Sequence, residues 1–463
     1  RAESHSVSGL WVLQVAAERL AQAQTGLDTP IGQRLIGLLG VMTMLLLAVL
    51  LSYNRRSINW RLVGTGLLLQ ILFGVIVLKT EPGRIFFDRL GAIITGLLGF
   101  QEQGARFVFG NLVQSQVPVG VPGPDGTLDQ SAGYVANAGA YFAFNVLPTI
   151  IFFSAFMSVL YYLRIMQVVV KGIAWVMQKT LGTSGAETLS ASGNIFLGQT
   201  EAPLLIKPFV RAMTRSELIT VMVGGFATVA GGVMAAYIGM LKGSFPNIAG
   251  HLLAASVMNA PAGLMLSKII MPETEVPVTK GSLRMELQRT ETGVIEAAAN
   301  GAGLGAQLAI NVAAMLMAFV ALVALINYGF GWIGELVGEP RLSLQFILGQ
   351  LLRPLAWVMG VPWQDTAYVG GLIGLKATLN EFIAYAQFAR DLGAGIELSP
   401  RSAIILTYAL LGFANFSSIA IQIGGIGGLA PERRGEIAQF GLRAMIAGNL
   451  AAFMSASIAG MLV

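Results

Sequence analysis

An all-α integral membrane fold is what this sequence predicts: eight transmembrane helices, two oppositely oriented re-entrant helical hairpins in an inverted repeat, and accompanying interfacial helices. Three observations predict it. Of 463 residues, 55% are hydrophobic and 11% charged, whereas a soluble globular chain carries about 25% charged residues. Apolar runs long enough to cross about 30 Å of hydrocarbon recur along the whole chain. Two further apolar segments carry polar residues at their middles, and each is followed by a span with a matching core.

The same composition narrows the chemistry. Cysteine is absent, so disulfides, thiol catalysis and thiolate metal sites are excluded. His5 and His251 are the two histidines, too few for a zinc centre of the usual His-rich kind. The formal net charge is +5, but no basic cluster is interleaved with stacking aromatics, so no nucleic acid polymer is expected as a partner. The lipid bilayer is the expected partner. The 57 glycines suit it, because small residues let helix backbones approach closely in lipid.

In chain order, residues 1 to 32 are polar, include QVAAERLAQAQ and show no apolar h-region before a cleavage site, so they read as a peripheral N-terminal extension. Full spans are expected at 35 to 52, 62 to 78, 142 to 163, 217 to 240, 252 to 271, 301 to 328, 402 to 426 and 438 to 462. Between the second and third, IFFDRLGAIITGLLGFQEQGARFVF is apolar with intermittent charges, the pattern of a helix lying along the interface. PVGVPGPDGTLDQ then reads as an exposed loop. If the first span begins outside, short basic loops such as NRRSINWR and PERRGEIAQFGLR lie inside, and the positive-inside rule puts both termini outside.

Residues 184 to 213 hold NIFLGQTEAPLLIKPF between two inside regions, and residues 364 to 392 hold LKATLNEFIAY between two outside regions. Each segment therefore enters and leaves on one face, and the faces are opposite. Behind the hairpins, GGFATVAG at 224 to 231 matches LGFANFSS at 411 to 418. Gly225, Phe226, Ala227 and Thr228 align with Gly412, Phe413, Ala414 and Asn415, while Glu201 aligns with Glu381. The offsets of 187 and 180 differ by 7, which the longer loop DLGAGIELSP absorbs. Hairpin plus broken span thus occurs twice from opposite faces, the arrangement that many secondary transporters use to place a substrate site near the bilayer midplane.

Non-helical backbone at that depth needs protein or a water-filled cavity around it, and an ionised carboxylate there costs about 3 kcal/mol or more. Glu201 and Glu381 are therefore read as substrate or ion ligands, the alternative being carboxylates that cap their own hairpin's amides. Asn194 and Asn415 must satisfy both a donor and an acceptor. Thr200, Thr228 and Ser418 are weaker pointers, since a hydroxyl in a span often bonds a carbonyl one turn back. Phe413 is core by default, and beside Asn415 it could face a flat ring. Such a pocket suits a polar, mostly uncharged solute. An anionic one would want Arg or Lys at that depth, where Lys376 is the candidate, and a bare metal ion would want more carboxylates. An ion channel would need a symmetric ring of carbonyls or carboxylates. An enzyme would need a nucleophile with its base, a metal cluster or a phosphate loop, and none accompanies these carboxylates.

The segments GQTEAPLLIKPF, GGFATVAGGVMAAYI, LNEFIAY and GFANFSSIAIQIGG, in that order, resemble the signature segments of the concentrative nucleoside transporter family. The likeness runs from about residue 35 to the end. The resemblance implies a symporter and not an enzyme, one that imports nucleosides across the inner (plasma) membrane on a sodium gradient by elevator-like alternating access. Some relatives couple to protons, and Glu201 or Glu381 could carry one. The implied substrate site sets Gln199, Thr200 and Glu201 on the nucleobase, Val233 and Phe413 on its ring, and Glu381, Asn415 and Ser418 on the ribose. The implied sodium site consists of Asn194, the Leu197 carbonyl, Thr228 and the Val229 carbonyl, with Thr228 where Ser is expected. A homotrimer is also implied, with 33 to 170 and 298 to 330 as scaffold and with 171 to 297 and 331 to 463 as a transport unit. KGSLRMELQRTETGVIEA reads as a surface helix linking the two.

Overall fold

The computed structural model describes residues 29 to 113, 142 to 281 and 291 to 463, together with short strand segments between 116 and 137. Residues 1 to 28, most of the expected loop PVGVPGPDGTLDQ and the centre of the expected linking helix KGSLRMELQRTETGVIEA lie outside the described residues. Within that loop region, Gln116–Pro118 pairs antiparallel with Val135–Asn137, and Val121–Pro122 with Leu128–Asp129. Everything else of regular structure among the described residues is helical.

Helices α1 (Ile31–Leu50) and α2 (Trp60–Lys79) are the first two apolar stretches. Asn59 starts α2 by accepting the Leu62 amide at 3.2 Å, which satisfies one of the amides that have no partner in a first turn. Helix α3 (Glu81–Phe109) takes in the amphipathic run expected over 85 to 109, with Thr80 as its cap and Pro82 in the first turn. Helices α4 (Leu147–Tyr162) and α5 (Ile165–Leu181) follow.

The first polar-centred segment is helix α6 (Gly185–Gly193), an irregular tip and a 3-10 run over Ala202–Ala212 that packs against α6. Pro203 and Pro208 explain that run: proline has no N–H and its ring crowds the preceding turn, so a regular α-helix does not form there. Next come α7 (Arg215–Ala227) and α8 (Gly231–Leu241), separated by Thr228, Val229 and Ala230. Helix α9 (Ile248–Ile270) is buried along nearly its whole length.

Helix α10 (Val294–Val337) has 44 residues, well beyond the expected 301 to 328; at about 1.5 Å per residue it is roughly twice the length of a bilayer core. Helix α11 (Leu344–Val358), which the sequence pattern did not bring out, packs along α12 (Thr366–Thr378). The second polar-centred segment is α12 and α13 (Glu381–Gly393), packed together around a break at Leu379 and Asn380. Helices α14 (Pro400–Leu410) and α15 (Phe416–Leu429) are likewise separated by a break, and α16 (Arg434–Leu462) ends the chain.

Among the described residues, seven helical stretches are long and apolar enough to cross a membrane. The region expected to span at 402 to 426 is absent from that set; like Arg215–Leu241, which is in it, it is two helices and not one. Gly412 with φ +117° and the N-cap Asn415 stop and restart it. Helices α7, α9, α14 and the second half of α16 pack together and are buried on nearly all sides, as expected of helices apolar all round. Helices α4 and α10 pack against each other, and α10 leaves much apolar surface exposed in the single chain.

Candidate functional site

The two helix breaks touch. The Phe413 amide donates to the Thr228 carbonyl at 3.2 Å. A Cβ on Gly412 would lie 2.6 Å from the Phe226 carbonyl oxygen and 2.9 Å from that of Ala227, so this crossing admits glycine and nothing larger. Gly225, at the aligned position, is also a close approach: its Cβ would lie 2.8 Å from Gln199 Cβ and 2.9 Å from Gln422 Nε2.

A continuous line of hydrogen bonds runs from the first tip to the second. Gln199 Nε2 donates to Ser418 Oγ at 3.1 Å, the Ser418 amide donates to Asn415 Oδ1 at 2.9 Å, and Asn415 Nδ2 donates to Glu381 Oε2 at 2.9 Å. The other Glu381 oxygen accepts from the Tyr237 hydroxyl at 3.1 Å. Glu381 is the first residue of α13, and its partner Asn415 caps α15. Two helix N-termini, each with partial positive charge, therefore face this buried carboxylate. Gln422 holds Gln199 from behind, donating to Gln199 Oε1 at 3.1 Å and to the Met222 carbonyl at 3.0 Å.

Glu201 lies at the first tip. It is exposed, and Oε2 accepts from the Gly198 amide at 3.1 Å, so it does cap its own tip. Thr200 is exposed as well, its Cγ2 resting against α15 at Gly425. Val233 is buried in α8 and Phe413 is half-buried at the second break.

Asn194, Leu197, Thr228 and Val229 flank the first tip and first break. Both polar atoms of the Asn194 side chain are buried without a hydrogen-bond partner among the described residues. Thr228 Oγ1 donates to the Gly224 carbonyl at 2.9 Å, which leaves its lone pairs free. The Leu197 and Val229 carbonyls receive no backbone hydrogen bond among the described residues. Neutral oxygens with spare lone pairs are the donor set of a monovalent cation, so the residues fit a sodium ion.

Four groups escaped the sequence pattern. Tyr237 and Gln422 brace Glu381 and Gln199 as described. Asn259 of α9 donates to the Ala227 carbonyl at 2.7 Å, and Asn449 of α16 to the Ala414 carbonyl at 2.9 Å. Ala227 and Ala414 are aligned residues of the two matching cores, so each break has an asparagine on a neighbouring helix that satisfies the same orphaned carbonyl. Two further buried cations accompany Lys376 among the described residues. Lys268 pairs with Glu187 at 2.7 Å, and Arg401 Nε donates to the Gly360 carbonyl at 2.8 Å.

A helical membrane protein whose interrupted helices gather amides, hydroxyls and a carboxylate in its apolar interior has the build of a secondary transporter. Comparison with known proteins makes the class specific. Models described as the N-terminus and C-terminus of Na+ dependent nucleoside transporters match residues 39–112 and 251–460, and one described as nucleoside recognition matches 143–244. An uncharacterized transporter of Haemophilus influenzae is 44% identical over 93% of this chain and 98% of its own. Sodium/nucleoside cotransporter 1 of Mus musculus is 41% identical over 99% of this chain and 69% of its own. The solved structure of CNTnw in an inward-facing substrate-bound state has a TM-score of 0.81 at 43% identity, covering 92% of this chain and 97% of that one. A CNTnw variant in an outward-facing state gives 0.84 at 42%, covering 94% and 99%. The chain belongs to the concentrative, Na+ dependent nucleoside transporter family. It is a multi-pass membrane transporter and not an enzyme.

Proposed function

We propose that this protein is a sodium-coupled symporter that imports nucleosides by elevator-like alternating access. The hydrogen-bonded line from Gln199 to Glu381 carries the proposal, because it joins both tips through the second break into one polar seam. Gln199, Thr200 and Glu201 meet the nucleobase through donor and acceptor edges, with Val233 and Phe413 against its faces. Glu381, Asn415 and Ser418 take the ribose, where a carboxylate accepts hydroxyl protons with charge-assisted strength. Asn194, Leu197, Thr228 and Val229 hold sodium, which orders the adjoining tip for substrate.

The two polar-centred segments act as re-entrant hairpins of an inverted repeat. They move with α7, α8, α9, α14, α15 and α16 against a scaffold built on α4 and α10. The apolar surface that α10 leaves uncovered supports a homotrimer, with lipid and neighbouring copies covering it. Glu201, with no ion pair among the described residues, is the carboxylate that would carry a proton in the second reading, proton coupling.

Uptake of radiolabelled uridine into proteoliposomes, with sodium, potassium and proton gradients imposed separately, tests both. Uptake that follows the inward sodium gradient alone is expected. Dependence on the proton gradient alone moves the assignment to the second reading, and indifference to every gradient overturns coupling altogether.

A further inference from the structure

Lys376 is fully buried in α12, and neither the substrate nor the cation reading uses it. Its Nζ donates to the carbonyls of Ala409 at 2.9 Å and Leu411 at 3.2 Å, and lies 5.6 Å from the centre of the Phe453 ring. No carboxylate comes within ion-pairing distance of it among the described residues. The two carbonyls belong to the end of α14, where Gly412 stops the helix and leaves them without helical partners. A buried ammonium is tolerated where oxygens replace its water, and helix C-terminal carbonyls carry the partial negative charge to do so.

In the other half of the chain, the aligned residues are Met222 and Gly224. Their carbonyls are closed by neutral donors, the Gln422 amide at 3.0 Å and the Thr228 hydroxyl at 2.9 Å. With the hairpin offset of 180, Lys376 falls at Phe196, between Asn194 and Leu197. The two junctions of tip and half-helix are thus alike in place and unlike in charge. One has a buried Asn194 side chain without a partner among the described residues, next to the tip that carries the Leu197 carbonyl, and the other has an ammonium on the Ala409 and Leu411 carbonyls.

We propose that the Lys376 ammonium is a tethered cation that fills, in the second half, the junction that an exchangeable monovalent cation fills in the first. The proposal rests on the cation reading of Asn194, Leu197, Thr228 and Val229. Its consequence is asymmetry: the second tip is closed permanently on α14, while the first closes on α7 when a cation arrives. On this reading each chain takes up one exchangeable cation.

The test is the melting temperature of the purified full chain over a sodium series, with choline holding ionic strength constant. Lys376→Ala opens space and is expected to lose melting temperature in choline, to regain much of it in sodium, and to add a second saturating component that the unaltered protein lacks. Lys376→Met fills the space without charge and is expected to be lowered and not restored. In an Asn194→Ala background, Lys376→Ala is expected to bring back a sodium-dependent rise. A Lys376→Ala chain as stable as the unaltered one in choline, or one that sodium, lithium and potassium all fail to restore, overturns the proposal. If Asn194→Ala alone keeps the full sodium response, the first cation site is misassigned, while the comparison of Lys376→Ala with Lys376→Met still decides the tethered cation. Equilibrium binding of radiolabelled sodium to Lys376→Ala gives the same decision without a melting curve: more than one ion per chain supports the proposal, and one or none overturns it.

Discussion

The Phe413 amide donates to the Thr228 carbonyl at 3.2 Å, so the two interrupted helices are hydrogen-bonded to each other at their breaks. A carbonyl orphaned by the first break is satisfied by an amide freed by the second. This crossing also requires Gly412, whose φ is +117° and whose Cβ would meet two carbonyl oxygens.

Gly412→Ala should therefore destabilise the protein by about 1–3 kcal/mol, the cost of a side chain in a disfavoured backbone region, and should abolish uridine uptake. Gly424→Ala in α15, with nothing within 4 Å of the new Cβ, is the control and should retain both properties. Thermal melting in detergent and proteoliposome uptake read the two outcomes. Equal behaviour of both variants would remove the argument from the crossing.

Glu381 accepts from Tyr237 and Asn415, both neutral. Glu381→Gln keeps the shape and loses the charged acceptor, so nucleoside affinity should fall by at least about tenfold, or about 1.4 kcal/mol. Tyr237→Phe removes one donor to that carboxylate and leaves its charge, so a smaller loss is expected. Equilibrium binding of uridine at saturating sodium orders the two, and a larger effect from Tyr237→Phe would contradict Glu381 as the ligand.

How far the sequence revealed this arrangement depended on the range of each signal. Gly412 and Asn415 interrupt a helix by local means, a backbone angle and a cap, and the repeated GFA core exposed both breaks. The break at the first tip was legible because Pro203 also acts locally. Asn259 and Asn449 were not, since each serves a carbonyl more than 30 residues away, and an asparagine in an apolar run does not declare its partner. Tyr237 reaches Glu381 over 144 positions, and Gln422 reaches Gln199 over 223. Helix α11 was missed because it is too short to span and contains Pro354.

Asn259→Leu and Asn449→Leu each remove the donor on an orphaned, buried carbonyl, which costs about 1–3 kcal/mol. Both should lower the melting temperature, and to a similar degree, because Ala227 and Ala414 hold matching places. A fall in one variant alone would show that the second carbonyl finds another donor when its asparagine is lost.

Lys268 ties α9 to α6 through Glu187 at 2.7 Å, and also donates to Ser216 at 2.9 Å. Lys268→Met strands a buried carboxylate and should cost about 3–5 kcal/mol. Adding Glu187→Gln should recover a part of that loss, since the stranded charge goes with it. A double-mutant cycle on thermal stability measures the coupling, and strictly additive effects would mean that the pair does not act as one.

Asn194 carries the sharpest test of the cation site because its two polar atoms are buried and have no partner among the described residues. Without sodium, Asn194→Ala removes an amide whose desolvation is uncompensated, a penalty of about 1–3 kcal/mol, so the variant should be as stable as the unaltered protein or more so. With saturating sodium the order should reverse, because a bound ion stabilises the chain that holds it and the variant has lost a ligand. Half-saturating sodium in uptake should rise at least about tenfold. Melting curves with and without sodium that keep the same order in both conditions would remove Asn194 from the cation site.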